Sequence, residues 1–195
     1  MAAGFGVNFR EMKARTIRDN LKPMTDDQTI TPFAAAVYTP DTGDRMALLK
    51  FVDKLKALNI RVGGVLQEAL FDSEGKITGL NAVDVSTNHR ISISRPAQND
   101  DECSLDVSAL AGTTGIIRDA ISNRVDLVVV EKFGELEQSG KGLIDEILQT
   151  IVEGIPLLIS VPEAALPLWQ ERSGELGVVI SFSEEAFQQW WQSLA

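Results

Sequence analysis

FAAAVYTPDTGDRMALLKFVDKLKAL, residues 33–58, is the stretch that decides the fold. Phe33 to Tyr38 is a continuous apolar run that ends in Thr-Pro-Asp-Thr-Gly. That pattern predicts a strand buried on both faces and entering a turn. Met46, Leu49, Phe51, Val52, Leu55 and Leu58 then recur at three- and four-residue steps, which predicts an amphipathic helix of about four turns closed at Asn59.

The same alternation continues outward. RVGGVLQ (61–67), DLVVVEKF (126–133), IPLLISV (155–161) and LGVVISF (176–182) read as further strands. Asp106 or Ser108 opens a helix to about Asn123, Lys141 to Glu153 form another, and Leu166 to Trp169 a short one. Ser183-Glu184-Glu185 starts a last helix that carries Trp190 and Trp191. DSEG (72–75) is a turn, and ITGLNAVDV (77–85) with RISISR (90–95) reads as a β-hairpin. Apolar strands alternating with amphipathic helices predict an α/β domain, a mainly parallel sheet covered on both faces with a β-hairpin insertion or antiparallel edge. Residues 31–195 are expected to form this single domain, and residues 1–30 a partly ordered N-terminal arm. In that arm Phe9, Met12, Ile17 and Leu21 line one face of a short helix with Arg10, Lys13, Arg15 and Arg18.

Composition narrows the function classes. The chain has 195 residues and a formal net charge of -10. The charge is uneven: residues 1–125 hold 15 Lys/Arg against 16 Asp/Glu, and residues 126–195 hold 3 against 12. An acidic surface repels phosphate backbones and anionic lipid, which speaks against nucleic-acid and membrane partners. The start, MAAGFGVNFREMK, has no charged segment followed by an apolar block. A single cysteine, Cys103, excludes an intrachain disulfide and a cysteine-based metal cluster. The expected setting is the cytoplasm.

In a sheet of this kind ligands bind at the carboxyl ends of the strands. Loops 38–45, 67–75 and 131–142 are the candidates. A phosphate loop at the first position reads GxxxxGK[ST]: its amides cradle phosphates, its lysine reaches the outer ones and its hydroxyl holds Mg²⁺. On that pattern YTPDTGDR keeps Gly43, but Tyr38 replaces the first glycine, Asp44 the lysine and Arg45 the hydroxyl residue. Aspartate in place of the lysine repels phosphate, and arginine cannot ligate Mg²⁺. Thr39, Asp41, Thr42, Gly43, Asp44 and Arg45 are therefore candidates for a modified anion loop, with a plain strand–helix turn as the competing reading. After the DLVVV strand, Glu131 stands where a phosphate-loop enzyme keeps its Mg²⁺-contacting acid, and Lys132 stands where the catalytic base would be. Phe133, Gly134 and Glu137 complete this second candidate set. Loops 38–45 and 131–142 are expected to face each other at the ends of neighbouring strands. Gly43 is expected to permit the turn, and Gly134, Gly140 and Gly142 to keep the second loop flexible.

These segments carry a resemblance. The strand–loop–helix at 33–58, RVGGVLQE at 61–68, VDVSTNHR at 83–90, DLVVVEKFGELE at 126–137 and GIPLLISVP at 154–162 resemble the small nucleoside-triphosphatases first described from thermophiles. Those enzymes carry an intact phosphate loop and an acidic pair that this chain lacks. VYTPDTGD at 37–44, RVGGVLQ at 61–67, CSLD at 103–106 and EKFGELEQSGKGL at 131–143 resemble more closely a related, uncharacterised bacterial family. Its members are sometimes labelled molybdenum-transporter ATP-binding proteins. That family has Asn-Lys-Phe-Gly where this chain has Glu131-Lys132-Phe133-Gly134. The resemblance implies a P-loop NTPase-like three-layer sandwich with a degenerate phosphate loop.

Three functions follow as expectations. The first is a non-hydrolytic or weakly hydrolytic module that binds a phosphate-bearing molecule or oxyanion through loop 39–45, Arg45 and Lys132. The second is a nucleoside-triphosphatase in which Glu131 serves Mg²⁺ with nucleotide. The third is an interaction subunit that binds a protein partner, or a second copy of itself, through the acidic C-terminal third. The charge inversions at Asp44 and Lys132 favour the first over a conventional enzyme.

Overall fold

The computed structural model describes residues 32–95, 104–105 and 107–194. The expected N-terminal arm, the Asp106 cap and Cys103 lie outside them. The described residues build a three-layer α/β sandwich of the P-loop NTPase type. In chain order its strands are β1 (Phe33–Tyr38), β2 (Val62–Phe71), β3 (Ile77–Asp84), β4 (Arg90–Ser92), β5 (Ser94–Arg95), β6 (Ser104–Leu105), β7 (Leu127–Glu131), β8 (Leu157–Pro162) and β9 (Val178–Ser181). The helices are α1 (Ala47–Ala57), α2 (Val107–Ser122), α3 (Glu135–Gln138), α4 (Ile144–Val152), α5 (Leu166–Arg172) and α6 (Glu184–Ser193).

Seven strands form one sheet in the order β4-β3-β2-β7-β8-β1-β9, and β5 pairs with β6 separately. β2, β7, β8, β1 and β9 are parallel; β3 and β4 add antiparallel at the β2 edge. The apolar runs read as buried strands occupy the centre: Leu127 to Val130 and Leu157 to Ile159 are at most 1% exposed. Alternate residues feed two cores. On one face Ala34, Ala36, Leu127, Val129 and Leu158 meet Leu48, Phe51 and Leu55 of α1 and Phe187 and Trp190 of α6. On the other, Phe33, Val128, Val130, Leu157 and Ile159 meet α2, α4 and Trp169 of α5. Among the described residues no helix is long and apolar enough to cross a membrane.

Two expectations change. β2 runs on to Phe71 because residues 65–71 pair antiparallel with β3, so most of the 67–75 segment is strand and only Asp72–Gly75 turns. Asp72 closes that turn by accepting hydrogen bonds from the Glu74 and Lys76 amides, both at 2.9 Å. The expected hairpin, β3 with β4, stands at the antiparallel edge of the sheet, and β2 extends it to the meander β2-β3-β4. In addition β8 lies between β1 and β7, so loops 38–45 and 131–142 do not follow neighbouring strands.

Candidate functional site

The loop after β1 is held by its own side chains. The Thr39 amide donates to Thr42 Oγ1 (2.9 Å), and the Thr42 amide returns a bond to the Thr39 carbonyl (3.1 Å). Asp44 Oδ1 accepts from the Met46 amide (3.0 Å) and Oδ2 from Lys50 Nζ (2.8 Å). The lysine and the amide hold the Asp44 carboxyl below the usual carboxylate range. An internal anion therefore stands at the start of α1, where the free amides and dipole favour negative charge. The solvent-exposed pairing with Lys50, six residues on, also offsets part of the repulsion expected of an aspartate in this loop. Gly43 has no left-handed φ, and a Cβ there would meet nothing within 4 Å. The turn accordingly does not depend on glycine at this position.

Arg45 is exposed. Its Nη2 donates to the Pro40 carbonyl (2.9 Å), and its Cζ lies 5.8 Å from the centre of the Tyr38 ring. Both contacts aim the guanidinium back over the carboxyl end of β1. There Tyr38, Thr39, Pro40 and Arg45 face Pro162, the last residue of β8, and Glu163 and Ala164, which follow it, across an open crevice of about 410 Å³. Asp41 is exposed at the loop tip and does not line it. The post-β8 segment was not legible as part of the site, because only the strand order reveals that it adjoins β1.

The second candidate set divides. Glu131 ends β7, and its Oε2 accepts from the Gln67 amide of β2 (2.9 Å). Burial raises its carboxyl above the ordinary value of 4.5, opposed by that amide and by Lys132. Tyr38 is half-buried. Burial raises its phenol, the Arg45 charge lowers it, and the Glu131 charge raises it further, which ties β7's end electrically to β1's. Lys132 is exposed and does not line the crevice. The Phe133 ring is in the core, 5.4 Å from Trp169 in an edge contact. Glu137 is 7% exposed; Oε2 accepts from the Gly134 amide and Oε1 from the Leu143 amide, both at 3.0 Å. Gln138 Nε2 donates to the Phe133 carbonyl (3.1 Å), and Arg172 Nη2 to the Gln138 carbonyl (2.8 Å). These bonds pin a segment whose glycines suggested flexibility.

The Glu131 shift has a signed consequence. A raised carboxyl pKa means that the folded chain holds this proton to higher pH than the unfolded chain. Stability therefore falls as pH rises from the ordinary value of 4.5 to the raised one, and remains lower above it. Glu131→Gln removes the buried charge and keeps an oxygen for the Gln67 amide. It is expected to melt higher than the parent at neutral pH, with the gap closing as pH falls below that ordinary value. Melting curves of both proteins across this range check it; a variant that melts lower at neutral pH contradicts it.

Comparisons with known proteins follow the same residues. The family model described as "Protein of unknown function (DUF2478)" matches residues 33–190, from β1 into α6. "Molybdenum import ATP-binding protein ModC 2" of Bradyrhizobium diazoefficiens is 33% identical over 160 residues, which are 82% of this chain and 18% of that protein. The chain thus spans less than a fifth of the length of this curated relative. No solved structure matches significantly.

Proposed function

The chain belongs to the DUF2478 family, and we propose that it is a non-hydrolytic or weakly hydrolytic module that binds a small oxyanion or phosphate-bearing molecule at the carboxyl ends of β1 and β8. The observation that carries this reading is the Arg45 guanidinium, fixed at the crevice by Pro40 and Tyr38 through one nitrogen and one face, with its other donors free for an anion. Among the described residues the Arg45 amide also has no hydrogen-bond acceptor within the protein; the amides of Asp41, Gly43 and Asp44 are likewise unpaired but do not line the crevice. The crevice offers one cation, Arg45, against one acid, Glu163. That balance suits a small anion better than the charge of a nucleoside triphosphate. The relative's name adds molybdate and ATP to the ligands worth testing.

Nucleoside-triphosphate hydrolysis through Mg²⁺ is less well supported. One Glu131 oxygen is already committed to Gln67, and Arg45 stands where a loop hydroxyl would be needed, so these residues fit Mg²⁺ poorly. A cytoplasmic setting, the absence of nucleic-acid partners and a protein partner for the acidic C-terminal third remain part of the reading. Thermal-shift screening against phosphate, molybdate and ATP, with phosphate release followed in parallel, tests it. Stabilisation by an anion without Mg²⁺-dependent turnover is expected. Robust ATP or GTP turnover abolished in Glu131→Gln would establish the enzyme instead.

A further inference from the structure

One row below Tyr38 and Pro162, and not itself among the residues that line the crevice, lies a buried hydroxyl that the fold does not use. Ser160 of β8 is 1% exposed, and its Oγ has no hydrogen-bond partner. Buried polar atoms almost always find one, and an unpartnered one signals a missing water, ion or ligand. The register explains what surrounds it. Ala36 of β1 pairs with Ser160, and Ser160 pairs with Glu131 of β7. Paired residues of a sheet point to the same face, and Ala36 belongs to the core on the α1 face. The three side chains thus form a row on that face, with a methyl on one flank of the hydroxyl and a carboxylate on the other. Glu131 Oε2 is taken by Gln67, while Oε1 has no partner among the described residues. Tyr38, under Arg45, stands two residues above Ala36 on the same strand and face. A hydroxyl and a free carboxylate oxygen therefore lie on the α1 side of the sheet, one row below the cation.

We propose that Ser160 and Glu131 form the floor of the anion site and select an oxyanion that carries a proton, inorganic phosphate, over those fully ionised at neutral pH, such as molybdate and sulfate. This rests on the binding function proposed above. Ser160 Oγ donates to one ligand oxygen. In its ionised form Glu131 can only accept at Oε1, so it then needs a ligand O–H. Hydrogen phosphate supplies that proton. Molybdate and sulfate set a bare oxygen against the carboxylate, leaving both lone pairs unmatched and adding like-charge repulsion. A carboxylate whose burial opposes its own ionisation is also a residue kept at some expense of stability, as binding groups often are.

Calorimetry of the full chain with inorganic phosphate, sulfate and molybdate at neutral pH provides the test. The parent is expected to bind phosphate at least about ten-fold more tightly than either other anion. Glu131→Gln, whose oxygen stays with the Gln67 amide and whose NH2 can donate to any of the three anions, is expected to bring the affinities within roughly three-fold of one another. Ser160→Ala should weaken all three and leave their ratios unchanged. Equal affinities in the parent, or an unaltered preference in Glu131→Gln, overturns this selectivity while leaving anion binding intact. A parent that binds none of the three overturns both.

Discussion

Gly64→Ala is expected to give no stably folded protein. Gly64 lies in β2, opposite Val129 of β7, with φ +121. A Cβ there would sit 1.9 Å from the Val129 carbonyl oxygen and 2.8 Å from its amide nitrogen. Both atoms are backbone of the neighbouring strand, so no rotamer relieves the overlap. Relief requires β2 and β7 to part, and with them the Val85 amide bond to the Gly64 carbonyl (3.0 Å). The backbone angle is also one that side chains rarely adopt. The expected loss is at least about 4 kcal/mol, the range reserved for disrupted cores. Circular dichroism and soluble yield of the variant measure it. Cooperative unfolding near the parent's melting temperature contradicts the β2–β7 register.

Glu137→Ala is expected to destabilise the protein by about 3 kcal/mol, or roughly 6–12 °C in melting temperature for a chain of this size. The carboxylate gathers the Gly134 and Leu143 amides from opposite ends of the post-β7 segment. Alanine leaves both donors without an acceptor in a place where little water reaches. Glu137→Gln retains one acceptor oxygen and turns an N–H toward the other amide, so it should fall between the two. Gly142 belongs to the same device: a Cβ there would lie 2.2 Å from Glu137 Oε1, at φ +62. Chemical denaturation of the parent and both variants orders them. Identical midpoints contradict a structural role and return Glu137 to the candidate ligand-binding groups.

These cases show what the sequence could and could not reveal. Elements were legible where burial writes a pattern, as in the continuous apolar runs of β1, β7 and β8; in α1 the helix was legible but its buried face only in part, since Phe51, Val52 and Leu55 are buried with Ala47 and Leu48 while Met46, Leu49 and Leu58 are exposed. The family resemblance rested on the same segments, and residues 33–190 match that family. Strand order leaves no such trace. That β8 separates β1 from β7 follows from long-range pairing, and so the Pro162–Ala164 wall of the crevice and the Ala36–Ser160–Glu131 row were out of reach. Ser160 reads as one small residue in an apolar run. Glu137 looked like a ligand group because a carboxylate in a glycine-rich segment has one appearance whether it accepts amides of its own loop or those of a partner. Asp44 looked repulsive because its pairing with Lys50 depends on how the loop enters the helix.

The central claim is that a small anion binds at loop 39–45 through Arg45. Its most direct test is a calorimetric titration of inorganic phosphate into the parent and into Arg45→Ala. Arg45 is exposed and its substitution leaves the core untouched, so a difference in affinity reports on the ligand contact. The account predicts saturable binding by the parent and affinity about ten-fold weaker in the variant, or about 1.4 kcal/mol, as for loss of a solvent-exposed charge-assisted hydrogen bond. Equal affinity in the two proteins, or no binding by either, would contradict it.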